Sequence, residues 1–349
     1  MAIQFVNKDY SQMLSFFSSP YHGISTTDYA FFGKYYWELR IVSDDWIFQQ
    51  STIRTTDFFS GKQKVLLWEK GEGKLKERQK TKAPVVITGL DAWGNQGIAV
   101  TQMNLLPATL YTGASFDDNT GVLIPKNKEH LLPLWCFCSS TEYNNAIREI
   151  DQTLKVTYPT LVKVPFDLDY WTQVAEQQYP NGLPQPYTND PTQWIFHGHP
   201  CGSVIWDEER KWTAHGDLRV DDSVLQVAVA RLLGYRWPAE LDPDMELAEE
   251  QRAWVLRCQD LNEHVDDDGI VCLPPVRGEK AADQRLEALL QDAYGKEWTT
   301  PLKNRLLETV GSKSLSLWLR DKFFEQHCKV FQNRPFIWHV WDGLKDGFS

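Results

Sequence analysis

Residues 93–125, WGNQGIAVTQMNLLPATLYTGASFDDNTGVLIP, contain three short apolar runs, at 97–101, 108–111 and 121–124. Each run is rich in β-branched, aromatic or small apolar side chains, and glycine, asparagine, aspartate or proline separates it from the next. Runs bounded by turn residues in this way are typical of β-strands. Similar runs precede them at 35–40, 46–50, 64–68 and 84–87. The sequence therefore predicts a compact β-rich unit in the first half of the chain.

Two helices are predicted to follow this β-rich unit. Ser139 and Glu142 stand in the spacing of a capping box, and apolar residues at helical spacing come after them. An extended run at 160–165 then leads to a second short helix over residues 168–178.

The second half of the chain has a helical apolar period, of about 3.6 residues rather than two. Helices are predicted at 224–233, 247–261, 285–294, 302–310 and 315–331. Five prolines between residues 179 and 200 indicate a connection between domains. The sequence predicts an α+β fold with a β-rich domain at 1–178, a proline-rich connection at 179–222 and a mostly helical domain at 223–349. The aromatic strand-and-turn pattern at 336–349 has no polar tail, which we interpret as the mark of a truncated chain.

The sequence composition indicates in which cellular compartment the protein is found. No stretch approaches the roughly 18 uncharged apolar residues of a membrane span, and the N-terminus lacks the basic-then-apolar order of a signal peptide. Six cysteines spread over 349 residues are too sparse for a disulfide framework. We expect a cytoplasmic protein with no membrane partner.

The net charge of −11 is unevenly distributed along the chain. Residues 62–82 contain eight basic and three acidic side chains, and residues 240–268 contain eleven acidic and two basic ones. The positive and negative charges are therefore concentrated in different segments, and the acidic net charge does not exclude a basic surface that binds an acidic partner.

The motifs of several enzyme classes are missing from the sequence. An amino-group methyltransferase needs a glycine-rich turn for its cofactor and an Asp/Asn-Pro-Pro-aromatic loop for the target nitrogen. The one Pro-Pro pair, Pro274-Pro275, lacks both the polar and the aromatic neighbour. No glycine-rich run continues as Gly-Lys-Ser/Thr, which excludes a P-loop. We therefore predict no catalytic site in this chain.

The chemistry of DNA binding is represented by two groups of residues in the first half. Cations along one edge of a β-loop-β segment neutralise phosphates, and the predicted residues are Lys62, Lys64, Lys74, Lys76, Arg78 and Lys80. Arginine and amide side chains near strand ends read base edges, and the predicted residues are Gln49, Gln50, Arg54, Gln102 and Asn104.

Metal binding is also open to test. His197, His199 and Cys201, with His215 further on, have side chains that suit zinc. We favour hydrogen-bonded loop histidines, because a structural zinc site draws on a second defined pair of ligands. Cys136 and Cys138 are interpreted as core residues of an apolar strand. No metal site is predicted.

Five segments of the first half carry a resemblance to a known family: 93–103, 106–113, 122–125, 134–140 and 164–171. They resemble the region C-terminal to the catalytic core in large adenine-specific DNA methyltransferases of the Eco57I-like, type IIG class. Similar proteins serve in DISARM and BREX phage defence. Segments of the second half look like later blocks of the same proteins, at 194–201, 230–238, 266–271 and 333–341. More distantly, the first half is similar to target-recognition domains of type I specificity subunits.

The resemblance implies a DNA-recognition module whose partners are double-stranded DNA and a methyltransferase catalytic core. The family's cofactor and Pro-Pro motifs precede the matching region, so S-adenosylmethionine is implied for that core and no cofactor for this chain. One alternative is an acidic interaction protein that docks on a phage-defence complex. Others are a remnant of a split methyltransferase gene and a metal-dependent hydrolase built on His197, His199 and Cys201.

Overall fold

The computed structural model describes residues 12–81, 84–276, 278–341 and 343. It divides the chain into two compact units, Met1–Pro184 and Gln185–Ser349, here named the N-terminal unit and the C-terminal unit. The division lies inside the segment 179–222 that the sequence marks as a connection. Among the helices of the described residues, none is both long and apolar enough to cross a membrane.

The described part of the N-terminal unit contains two four-stranded sheets. In chain order the strands are β1 (Ser18–His22), β2 (Gly33–Tyr35), β3 (Trp46–Gln50), β4 (Lys64–Leu67), β5 (Gly97–Thr101), β6 (Ala108–Tyr111), β7 (Ser115–Phe116) and β8 (Thr120–Pro125). The first sheet has the order β1-β8-β5-β6 and is antiparallel throughout. The second has the order β2-β4-β3-β7, and only its β3–β7 pair is parallel.

Strand β5 occupies the interior of the first sheet, and all five of its residues are buried. Ile98 stands opposite Leu123 of β8 and Leu110 of β6. Gly97 begins the strand where the neighbouring backbone comes close, because an added Cβ would lie 2.4 Å from the carbonyl oxygen of Leu123. Only glycine leaves room for that approach.

Five helices complete the described part of the N-terminal unit. They are α1 (Tyr29–Phe32), α2 (Lys74–Lys80), α3 (Leu131–Cys138), α4 (Thr141–Ile150) and α5 (Leu168–Gln178). Phe32 of α1 and Leu75 of α2 share one hydrophobic core with Leu66 of β4. This shared core places α1 and α2 beside the second sheet.

The C-terminal unit begins with a two-stranded hairpin and continues with helices. Its elements are β9 (Val204–Asp207), β10 (Trp212–His215), α6 (Ser223–Leu232), α7 (Pro238–Leu241), α8 (Glu249–Arg257), α9 (Ala282–Tyr294), α10 (Thr300–Thr309), α11 (Leu315–Asp321) and α12 (Phe323–Val330). Every residue of α6 is buried, and α9 and α12 pack against it. Helix α6 is therefore the centre of this unit.

The predicted α+β fold class is confirmed, with strands mostly in the first half and helices toward the C-terminus. Strands β3, β5 and β6 and helix α5 have the predicted bounds. The hairpin β9–β10 lies in the segment 179–222, for which no strands were predicted. Strands of four residues contain only two positions on each face, which gives little periodic signal.

Other predicted elements have a different structure. Cys136 and Cys138 belong to the buried helix α3 rather than to a strand, since a short continuous apolar run fits either element. The first three residues of the run 160–165 belong to a 3-10 helix, Tyr158–Val162, instead of an extended segment. Helix α4 is capped by Ser140, whose hydroxyl accepts from the Tyr143 N–H, instead of by Ser139. Of the aromatic segment 336–349, residues 342 and 344–349 lie outside the described residues, and 336–340 form no strand.

Candidate nucleic-acid interface

Helix α2 carries four of the six predicted phosphate-contacting residues: Lys74, Lys76, Arg78 and Lys80. The prediction of a strand edge is wrong for this segment. Its lysine, leucine, glutamate, arginine and glutamine residues all favour a helix, and none is β-branched. Leu75 anchors the helix, because its side chain is buried in the core below.

The helical period sorts the four cations into two pairs. Lys74 and Arg78 lie on one side of α2, and Lys76 and Lys80 lie on another. Like charges four residues apart destabilise a helix by roughly 0.2–0.5 kcal/mol for each pair. Helix stability therefore does not account for this arrangement of charges.

Helix α1 is the place where three of the predicted cations meet aromatic rings. The Lys64 ammonium lies 4.8 Å from the ring centroid of Tyr29, and the Lys74 ammonium lies 5.6 Å from that of Phe31. The Arg78 guanidinium lies 5.7 Å from the ring centroid of Phe32. We name the region formed by α1, α2 and Lys64 the α1–α2 surface.

Asp28 joins the two helices of this surface. Its carboxylate accepts a hydrogen bond from the Phe31 N–H at the start of α1, and it forms an ion pair with Arg78 at 3.0 Å. Asp28 and Arg78 are both about one third exposed, so solvent screens the pair. Arg78 is partly neutralised by this contact and serves to position α2.

Three lysines of the α1–α2 surface have no acidic partner. Among the described residues, no carboxylate lies within ion-pair distance of Lys74, Lys76 or Lys80. The Phe31 ring beside Lys74 is 49% exposed, which leaves an aromatic face open to solvent. Lys82, the last lysine of the basic run, lies outside the described residues.

Lys64 is more strongly engaged than these three lysines. Its ammonium lies 3.6 Å from the carboxylate of Asp117. Burial raises the pKa of Asp117, and the charge of Lys64 opposes that rise. Lys64 therefore compensates a buried acid and has less charge to offer to a phosphate.

Four of the predicted residues are buried in the N-terminal unit, with 1% or less of their surface exposed: Gln49, Gln50, Lys62 and Gln102. The Gln50 amide donates to the carbonyl oxygens of Ser60 and Leu110, and the Lys62 ammonium donates to the Thr112 hydroxyl at 2.6 Å. A side chain without exposed surface offers no atom to a base or a phosphate. The structure therefore does not place these four residues at a DNA interface.

Arg54 and Asn104 are exposed at another part of the N-terminal unit. Arg54 follows β3 in a loop held to β5, because the neighbouring Ile53 N–H donates to the Thr101 hydroxyl at 2.9 Å. Asn104 lies in the β5–β6 turn with φ of 55°, and its carbonyl oxygen accepts from Arg148 at 2.6 Å. Within the described ranges, no hydrogen bond or ion pair joins either residue to α1, α2 or Lys64.

The segment His197–Cys201 is a buried loop of the C-terminal unit. The His199 backbone N–H donates to Nδ1 of His197 at 2.9 Å, and the Cys201 thiol donates to the Ala293 carbonyl oxygen. Burial lowers the pKa of His199 to about 3, with further lowering by nearby arginines. In the part of the chain that the structure describes, these residues and His215 do not bring three ligand atoms together.

The contribution of α1 was not anticipated from the sequence. The signal that could have revealed it is Asp28 followed by the aromatic run Tyr29–Phe32, which reads as an N-cap before a short apolar turn. The contacts between this turn and Lys64, Lys74 and Arg78 span many residues along the chain, and local patterns do not report them.

No protein-family model matches the chain, and no curated protein sequence matches it.

Proposed function

We propose that the N-terminal unit binds double-stranded DNA through the α1–α2 surface. The observation that carries this proposal is the group Lys74, Lys76 and Lys80, which has no acidic partner among the described residues. Lys74 also lies beside the half-exposed ring of Phe31. Unpaired lysines attract the phosphate backbone and release its counterions on contact. Lys64 and Arg78 already neutralise carboxylates, so they contribute mainly to the shape of the surface.

Base reading, on this proposal, falls to exposed residues. Arg54 and Asn104 keep exposed side chains, whereas the buried glutamines and Lys62 serve the fold. Phosphate contacts orient a protein on the duplex and carry no sequence information themselves. The lysines would therefore determine the affinity for DNA, and Arg54 and Asn104 would determine the sequence selectivity.

We further propose that the chain is the recognition module of an adenine-specific DNA methyltransferase whose catalytic core is a separate partner. The resemblance of the segments at 93–103 and 164–171 supports this assignment. On this proposal S-adenosylmethionine binds to the separate catalytic core and not to this chain.

The DNA-binding proposal is tested by fluorescence anisotropy with a labelled duplex over a range of salt concentrations. The variant Lys74→Ala/Lys76→Ala/Lys80→Ala is compared with Lys126→Ala/Lys128→Ala/Lys163→Ala, which removes the same charge from exposed positions of the same unit outside α1 and α2. Each lost phosphate contact lowers the slope of log affinity against log salt by about 0.9. We expect a slope reduced by about 2 to 3 in the first variant and a nearly unchanged slope in the second. Equal losses in both variants would contradict the assignment of the α1–α2 surface.

A second candidate function, docking on a basic protein surface of a defence complex, is favoured by one feature of the C-terminal unit. Exposed acids lie among exposed aliphatic side chains at 241–270: Asp242, Asp244, Glu249, Asp260, Asp267 and Asp268 with Leu241, Leu256 and Ile270. Such a mixture suits a basic protein partner better than DNA. Unchanged DNA binding in the triple lysine variant, together with loss of complex formation in Leu256→Glu, would favour docking.

A further inference from the structure

Three side chains of the C-terminal unit bring metal-binding atoms together at its surface. Nε2 of His264 lies 2.6 Å from Oδ2 of Asp292 and 3.9 Å from Oε1 of Glu263. All three ligand atoms lie within 4.8 Å of one another. Among the described residues, no other set of three histidine, cysteine or carboxylate ligands comes this close.

The three residues stand on elements that are already packed together. Glu263 and His264 end the 3-10 helix Cys258–His264, which packs against α9, where Asp292 lies. Leu261 on one side and Leu289 on the other are buried. The two backbones that supply the ligands are thus held in place before any ion binds.

The dimensions suit a small divalent cation. Bonds of about 2.0–2.2 Å in a tetrahedral site put neighbouring ligand atoms about 3.4 Å apart. The two observed separations from His264 Nε2, 2.6 and 3.9 Å, lie on either side of that value. The imidazole is 16% exposed, whereas Glu263 and Asp292 are 74% and 53% exposed, so the carboxylates have the freedom to adjust around a fixed ring.

The charge around the three residues favours a cation. In the described part of the chain, no lysine or arginine pairs with Glu263 or Asp292, and the nearby Arg285 is taken up by Asp266 at 2.5 Å. The neighbouring Asp260, Asp267 and Asp268 are exposed. The site is therefore electronegative without an internal counter-ion.

We propose that Glu263, His264 and Asp292 form a zinc-binding site that joins the end of the 3-10 helix to α9. One imidazole nitrogen and two carboxylate oxygens are ligands that zinc accepts at these distances. His264 would supply the Nε2 lone pair, with the ring proton on Nδ1, and the contact that Asp292 now makes to Nε2 would pass to the ion. The proposal is independent of DNA binding, because it concerns the C-terminal unit alone.

The test is isothermal titration calorimetry, in which zinc chloride is added to the full chain without a histidine tag. In a second titration, cobalt chloride is added and its binding is followed by absorbance. We expect one zinc ion per chain and a cobalt spectrum without a thiolate charge-transfer band. His264→Ala and Asp292→Asn should each weaken zinc binding at least tenfold. The control His215→Ala removes an exposed imidazole outside the site and should leave the affinity unchanged.

Three results would overturn the proposal: no zinc uptake by the natural chain, the same affinity in His264→Ala, or an equal loss in His215→Ala. Asp292→Asn changes an exposed side chain without changing its size, so it remains informative if His264→Ala does not fold. A thermal melt adds a second readout, since a given zinc concentration should raise the melting temperature of the natural chain and of His215→Ala by more than that of Asp292→Asn.

Discussion

Loss of the ion pair between Arg231 and Glu240 is predicted to cause a large decrease in the free energy of unfolding of the C-terminal unit. Nη1 of Arg231 lies 3.0 and 2.9 Å from the two carboxylate oxygens of Glu240, and Nη2 donates to the Cys258 carbonyl oxygen. The Arg231 side chain is fully buried and that of Glu240 is 7% exposed. Glu240→Gln keeps the shape and leaves a buried guanidinium without its counter-charge. Removing one member of such a pair costs about 3–5 kcal/mol.

Hydrogen exchange read by mass spectrometry is the suitable assay, because a chain of two units need not unfold in a single step. Peptides that cover α6 and α7 report on the C-terminal unit directly. A loss of about 3 kcal/mol corresponds to exchange that is at least about a hundredfold faster in those peptides. The control is Glu325→Gln, which breaks the ion pair with Lys329. The side chains of Glu325 and Lys329 are 71% and 69% exposed. That pair should contribute under about 1 kcal/mol.

The double variant Arg231→Met/Glu240→Gln removes the isolated charge and should recover part of the protection. Equal exchange in Glu240→Gln and Glu325→Gln would refute the reasoning, since burial would then have no bearing on the value of the pair. A double variant that loses as much as the sum of its single changes would also contradict it.

Three further outcomes are expected. Burial lowers the pKa of His327 to about 3, so the unfolded chain binds a proton that the folded chain does not bind, and stability should fall as the pH drops below about 6.5. His327 alone accounts for about 2 kcal/mol of that loss at pH 5, so thermal melts at pH 7.5 and 5 should show that the natural chain loses about 2 kcal/mol more than His327→Asn. Gly97→Ala should destabilise the first sheet by about 1–3 kcal/mol, measured by exchange of β5 and β8 peptides, because its methyl group meets the Leu123 carbonyl oxygen. Lys62→Ala should lower stability and leave the salt slope of DNA binding unchanged, since the side chain is buried against Thr112.

The sequence predicted the strands and helices that are determined by patterns within the element itself. Strands β5 and β6 follow from apolar runs closed by turn residues, and α5 from its apolar period. Helix α2 was missed because it is only seven residues long with a single apolar side chain, Leu75, so alternating charges were the dominant pattern. Helix α3 was missed because it is apolar on all sides.

The site residues were harder to predict than the elements. The polar character of Gln49 and Gln50 predicts exposed side chains, but both are buried. Neighbouring strand residues point to opposite faces of the sheet, so the chain covers both faces of β3 at this point, and short-range sequence does not report that covering. The meeting of Lys64 with Tyr29 and of His264 with Asp292 likewise depends on contacts between distant residues.

The enclosed helix α6 bears on the order in which the protein is made. Gln226 of α6 donates to the Phe323 carbonyl oxygen and contacts the ring of His327, so the helix reaches its final environment only when α12 has been synthesised. All residues of the N-terminal unit have been translated by Pro184. At typical elongation rates the residues from Gln185 to the end of α12 at Val330 take roughly 7–30 s. During that interval the nascent chain would carry a complete α1–α2 surface, while the apolar side chains of α6 would lack the partners that α9 and α12 supply.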